Sequence, residues 1–72
     1  MNKEHHQILE RVIKELQDEA ARLFDGANVN GKWPEKNSAS GRLVAICGTR
    51  EHHKLLMKLV KDVKRMRGEL DG

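Results

Sequence analysis

Apolar residues recur at helical spacing in two long segments of the chain. Over residues 3–24, apolar residues three or four positions apart form one stripe, made of Ile8, Leu9, Val12, Ile13, Leu16, Ala20 and Leu23. The same spacing returns over residues 49–67, in a stripe made of Leu55, Leu56, Leu59, Val60, Val63 and Met66. Because an α-helix completes a turn every 3.6 residues, each stripe lies on one side of a helix. The pattern predicts helices over 3–24 and 49–67.

Residues typical of helix ends flank both segments. Asn2 is of a type that caps helix N-termini, and a glycine follows each segment, at Gly26 and Gly68. We expect these glycines to end the two helices, since glycine readily adopts the left-handed conformation. Leu70 continues the second stripe past Gly68.

The connection between the two helices has a different composition. Glycine, asparagine and serine are frequent over 25–41, which we predict to be a loop with a turn at Asn30 and Gly31. The segment 42–47, apolar apart from Arg42, has two interpretations, a short buried strand or a helical lead-in to the second helix. We favour the strand because glycines bracket the run, and we expect Cys47 within it to be buried.

These elements predict a mainly α fold of one domain, residues 1–72. Two antiparallel helices form a hairpin with a long, partly ordered connection. Both helices begin near a Glu-His-His triplet, at Glu4 and Glu51, which reflects either a duplication or chance.

The two apolar stripes are too wide to be covered by one hairpin, and helices in water gain most of their stability by packing their apolar faces. We therefore predict a homodimer in which two hairpins form a four-helix bundle. The alternative is a monomer in which 42–47 and Trp33 cover the hairpin as a third layer. The residues expected in the dimer core are Leu9, Val12, Ile13, Leu16, Leu23, Leu56, Leu59, Val60, Val63 and Met66.

The composition excludes several classes of protein. A chain of 72 residues is limited to one small domain. Its longest apolar run, 43–47, is far shorter than the roughly 18 residues of a membrane span, and its first residues contain no apolar signal segment. A single cysteine cannot form an internal disulfide. We expect a soluble, cytoplasmic protein that binds no membrane.

No set of residues predicts catalysis or a cofactor. Gly26, Gly31 and Lys32 match the spacing of a phosphate-binding loop, but the preceding strand and the following Ser or Thr that such a loop requires are missing. Neighbouring histidines diverge by about 100° on a helix, so the two His-His pairs do not form the i, i+4 arrangement typical of metal ligands. We expect no catalytic residues, metal site, cofactor or small-molecule substrate.

Charge is distributed unevenly along the chain. Residues 1–25 carry 4 basic and 6 acidic side chains, a net −2, whereas residues 50–72 carry 7 and 4, a net +3. Four cations of the second helix recur at steps of four, three and four and form one row, made of Lys54, Lys58, Lys61 and Arg65. Arg50, Lys64 and Arg67 flank it. Such a row can follow a phosphate backbone, dock on an acidic protein surface, or simply be hydrated.

Trp33 is the only tryptophan of the chain and lies in the predicted loop. Folded inward, it covers the end of the hairpin near Phe24; exposed, it is an anchor for a partner. Together with the cations of the loop and of the second helix it completes the predicted contact surface, which consists of Lys32, Trp33, Lys36, Arg42, Arg50, Lys54, Lys58, Lys61 and Arg65.

The sequence therefore predicts a small non-enzymatic binding protein that inhibits or adapts a protein partner. Its contact surface is the basic row together with 26–42. One alternative is a nucleic-acid-binding accessory protein that contacts phosphates through the row. A second alternative is a structural subunit of a larger assembly. A chain of this size and charge suits a bacterial or phage accessory factor.

Overall fold

The computed structural model describes the backbone of residues 3–71 and the side chains of residues 3–69. Three helices, α1 (Lys3–Ala27), α2 (Ala39–Cys47) and α3 (Thr49–Asp71), follow one another along the chain. No strand occurs among the described residues, and the prediction of a mainly α fold is confirmed. The predicted cap at Asn2 and the side chain of Leu70 lie outside the described residues.

The long helices α1 and α3 pack side by side in opposite directions. At one end, Arg67 Nη1 donates a hydrogen bond to Glu10 Oε1 at 3.1 Å, and we call this the open end of the hairpin. At the other end, the rings of Phe24 and His53 lie 6.3 Å apart, close to the connection, and we call this the closed end. The predicted helical hairpin is therefore observed.

The core of the hairpin is small. It is centred on Ile13 of α1 and on Val60 and Val63 of α3, with Leu9, Val12 and Leu16 packed against them in partly buried positions. Of the residues expected in a dimer core, four are already buried within a single chain: Ile13, Leu56, Val60 and Val63. Leu59 and Met66 stay exposed. One hairpin therefore covers only part of its two apolar stripes.

The end of α1 lies later in the chain than the sequence predicts. Gly26 remains within the helix, which ends at Ala27. Asn28 then caps it, because its side-chain amide donates to the carbonyl oxygens of Phe24 at 3.1 Å and Asp25 at 3.0 Å. The side-chain oxygen of Asn28 accepts from the Gly31 amide. The helix is therefore ended by the side chain of Asn28 and not by Gly26.

The predicted turn at Asn30 and Gly31 is confirmed. Both residues have positive φ, 55° and 80°, as a type I′ turn requires. Val29 and Lys32 flank them and exchange two backbone hydrogen bonds, of 2.7 and 3.2 Å.

The prediction of a strand over 42–47 is wrong, because these residues belong to α2. Ser38 caps this helix, since its Oγ accepts from the Gly41 amide at 3.0 Å and donates to the Glu35 carbonyl at 2.7 Å. Gly41 is buried, and a Cβ there would overlap the Glu35 carbonyl oxygen. The predicted loop 25–41 is thus shortened at both ends. Gly41 serves as a close backbone contact within a helix and does not mark a strand boundary.

Two further expectations near α2 and α3 are also wrong. Cys47, expected to be buried, is exposed at the last position of α2. Gly68, expected to end the second helix, lies inside α3, which continues to Asp71. The left-handed glycine is Gly48, with φ of 68°, which ends α2 and directly precedes α3. A glycine ends a helix only where the backbone turns left-handed, and at Gly68 it does not.

Candidate functional site

The buried stripe of α3 separates two exposed flanks of different chemistry. Leu56, Val60 and Val63 form the stripe and are buried. Because successive helical residues advance by about 100°, residues on either side of the stripe lie on opposite flanks of the hairpin. One flank is apolar and carries Leu55, Leu59 and Met66; the other is rich in lysine and carries Met57, Lys61 and Lys64.

The lysine-rich flank forms a groove against α1, which we call the basic groove. Val60 lies at its base, Met57 beside it is exposed, and α1 contributes Gln17. Its four lysines are all exposed, and within the described residues none of them forms an ion pair. The groove is lined by Gln17, His53, Lys54, Met57, Lys58, Val60, Lys61 and Lys64.

The structure brings together part of the predicted basic row. Lys54, Lys58 and Lys61 line the basic groove. Arg65 is exposed and lies outside the groove lining, where its Nη2 bonds Asp62 Oδ1 at 3.3 Å. Arg67, expected to flank the row, instead turns to Glu10 at the open end. Three of the four predicted cations therefore share one site.

Trp33 packs against ring side chains at the closed end of the hairpin. The indole is half-buried and stands edge to face on Phe24 at 5.1 Å and on His53 at 5.3 Å. Arg50 Cζ lies 5.8 Å from the indole centroid, within the range of a cation–π contact. The inward placement of Trp33 is thus the one observed. His53 also lines the basic groove, so Trp33 contacts one of the lining residues of the groove.

The other predicted loop cations lie apart from the groove. Lys32 lines a separate depression with Trp33 and Pro34, and Lys36 and Arg42 are exposed. None of the three belongs to the lining of the basic groove. The predicted contact surface is therefore divided, with its densest positive charge on α3.

The opposite side of the hairpin is an apolar surface, which we call the apolar face. The exposed fractions of its main side chains are 57% for Ile8, 55% for Leu55, 40% for Leu59 and 47% for Met66. At the open end, the apolar face contains a shallow groove lined by His5, Ile8, Leu9, Met66 and Glu69. Apolar side chains of this number on one side of a small chain are typical of a contact surface.

The histidine pairs lie at opposite ends of the hairpin. His6 Nε2 is 3.2 Å from Glu10 Oε1 at the open end, whereas His53 packs on the rings of the closed end. Among the described residues, no three His, Cys, Asp or Glu side chains are grouped so as to hold a metal ion. None of the described helices is both long and apolar enough to cross a membrane.

Gln17 and Met57 line the groove, although neither is among the site residues predicted from the sequence. Each lies beside the apolar stripe, and a helical projection that includes the flanks of the stripe identifies both.

Comparisons of the chain with protein-family models, with curated proteins and with solved structures gave no match. The candidate site is therefore defined by its own geometry and charge.

Proposed function

We propose that this chain is a small non-enzymatic binding protein that contacts a protein partner through the basic groove and acts as its inhibitor or adaptor. The observation that carries this proposal is the set of four exposed lysines without acidic partners among the described residues. Like charges at i, i+3 and i, i+4 on a helix disfavour the fold slightly. A surface on which four lysines lie side by side is therefore suited to an acidic ligand.

The proposal includes a homodimer built on the apolar face. A second copy is the occupant that the charges favour, because α1 carries a net −2 and α3 a net +3 over their charged residues. A two-fold axis parallel to the helices places α1 of one copy opposite α3 of the other, so acidic and basic helix edges meet. The product is a four-helix bundle with a basic groove on each outer side.

A pull-down experiment, in which the chain is immobilised as the bait, tests the proposed function. The wild-type chain is compared with K58E/K61E, which reverses two groove charges, and with R11E/R22E, which reverses two charges on the exposed side of α1. We expect one protein to be retained by the wild type and R11E/R22E and lost by K58E/K61E. Equal retention by all three baits contradicts the proposal.

Nucleic acid is a second candidate, favoured by the regular spacing of the lysines along α3. Under that alternative, affinity for a duplex or single-stranded oligonucleotide falls steeply with added salt. The slope becomes shallower in K58E/K61E, because fewer counterions are released. A third possibility, a structural subunit, predicts growth beyond the dimer as concentration rises, with no discrete partner.

A further inference from the structure

We infer that the basic groove receives an acidic amphipathic helix of the partner protein, an inference that rests on the proposed function of this groove. The groove runs along α3 between residues 53 and 64, about 17 Å at the rise of an α-helix. This length matches three turns of a docked helix.

The base of the groove is apolar while its wall is cationic. Val60 and Met57 lie between the lysines, and His53 adds a ring at the closed end. Lysine side chains extend this apolar surface, since their hydrocarbon stems lie along it while the ammonium groups reach water. A ligand that fits both features presents apolar residues to the base of the groove and carboxylates to the lysines.

An amphipathic helix has this distribution of groups. Helices that dock in grooves use apolar residues at i, i+3 or i+4, and i+7, which all project from one side. Glutamates next to those positions meet Lys54, Lys58, Lys61 and Lys64. A phosphate backbone, by contrast, offers no apolar group to Met57. The net charge of −2 on α1 also disfavours a polyanion that extends beyond the groove.

The positive charge of the groove comes from one side only. α3 supplies four lysines, whereas α1 contributes the neutral Gln17. We therefore expect the acidic residues of the docked helix to lie along one edge, with uncharged polar residues along the edge that faces α1. This asymmetry fixes the rotation of the helix about its own axis.

Selection from a displayed library tests this inference directly. The probe is a phage-displayed library of random 16-residue peptides, selected on the full wild-type chain at low salt. We expect enrichment of sequences with apolar residues at i, i+4 and i+7 and glutamate or aspartate along one edge. Enrichment of acidic peptides without apolar periodicity, or no enrichment, overturns the inference.

Variants of the groove separate its apolar base from its charge. Trp33 reports binding of a selected peptide by its fluorescence, since it lies against His53 at the end of the groove. Met57→Gln is expected to weaken that peptide about fivefold through lost apolar contact, and Lys61→Glu about tenfold. Leu43→Gln, at an exposed position of α2 outside the groove lining, serves as the matched control and is expected to leave affinity unchanged. Equal effects of Met57→Gln and Leu43→Gln contradict an apolar contact.

The failure of this inference is distinguishable from failure of the proposed function. If the library yields no acidic helix while the wild-type chain still retains a protein that K58E/K61E loses, the groove binds a protein surface of another shape. In that case only the helix inference is lost. If neither experiment shows dependence on Lys58 and Lys61, both are lost.

Discussion

Trp33 stands edge to face on His53, with ring centroids 5.3 Å apart and planes inclined by 77°. Phe24 meets the same indole from α1 at 5.1 Å and 78°. Edge-to-face pairs of this kind add to the free energy of folding beyond the area that they bury. A single loop residue therefore joins the end of α1 to the start of α3.

Replacing Trp33 with alanine removes both ring contacts at the closed end. We expect Trp33→Ala to lower the free energy of unfolding by about 2 kcal/mol, below the range for fully buried aromatic residues because Trp33 is half-buried. Urea unfolding followed by circular dichroism measures the change. Trp33→Phe keeps a ring and is expected to lose less than half as much. An alanine variant as stable as the wild type would show that the ring cluster contributes nothing.

Glycines inside the long helices lower stability without a structural need. Gly26 and Gly68 are helical, exposed and free of neighbours where a Cβ would lie. Alanine at either position is expected to raise the free energy of unfolding by about 0.5–1 kcal/mol, since it restricts the unfolded chain and favours the helix. Thermal unfolding of each single variant measures this gain.

Gly41 provides the matched control for these two substitutions. A Cβ at Gly41 overlaps the Glu35 carbonyl, so Gly41→Ala is expected to lower stability and to displace α2. If Gly41→Ala is as well tolerated as Gly68→Ala, the close packing of the Glu35 carbonyl against α2 is not needed for the fold.

Lys61 lies among three cations of its own helix, Lys58, Lys64 and Arg65, at spacings of three and four residues. Lys61→Glu converts these repulsions into attractions, and we expect the free energy of unfolding to rise by about 0.5 kcal/mol. Binding to the partner is expected to weaken in the same variant. Arg11→Glu is the control, because it removes the ion pair with Glu15 on the exposed side of α1 and lowers stability slightly. A Lys61→Glu variant that is destabilised would indicate that Lys61 has a structural role.

A charge within the apolar face is expected to separate the two copies of the proposed dimer. Leu59 is 40% exposed in one hairpin, so Leu59→Glu destabilises the isolated chain little but places a carboxylate in the proposed dimer interface. We expect sedimentation velocity to show a folded monomer. Ile46→Glu, on α2 at 81% exposure, changes none of the residues that define the apolar face and is expected to leave the proposed dimer intact. Dissociation in both variants, or in neither, contradicts the proposed interface.

The long helices are predictable from the sequence because their apolar period is sustained over many turns. The short α2 is not, since five apolar residues in a six-residue segment between glycines fit a strand as well as a helix. Its deciding features are a cap at Ser38 and the approach of the Glu35 carbonyl to Gly41, and the second depends on how the chain folds back. Local pattern alone does not contain that contact.

The basic row is predictable in part for a similar reason. Helical spacing alone places Lys54, Lys58 and Lys61 together, and the structure agrees. Which flank faces a groove depends on how α1 and α3 are rotated against each other, and this rotation is set by the packing of Ile13 against Val60 and Val63. A helical projection places Gln17 beside the stripe of α1, but only the packing of the two helices places it opposite the lysines of α3.

Sedimentation equilibrium of the wild-type chain tests the central claim most directly, namely that the apolar face of one hairpin is covered by a second copy. The account predicts a single species of twice the 8.2 kDa chain mass at micromolar concentration, with dissociation only on dilution. A stable monomer of 8.2 kDa at the highest soluble concentration, with its helices fully formed, would contradict it.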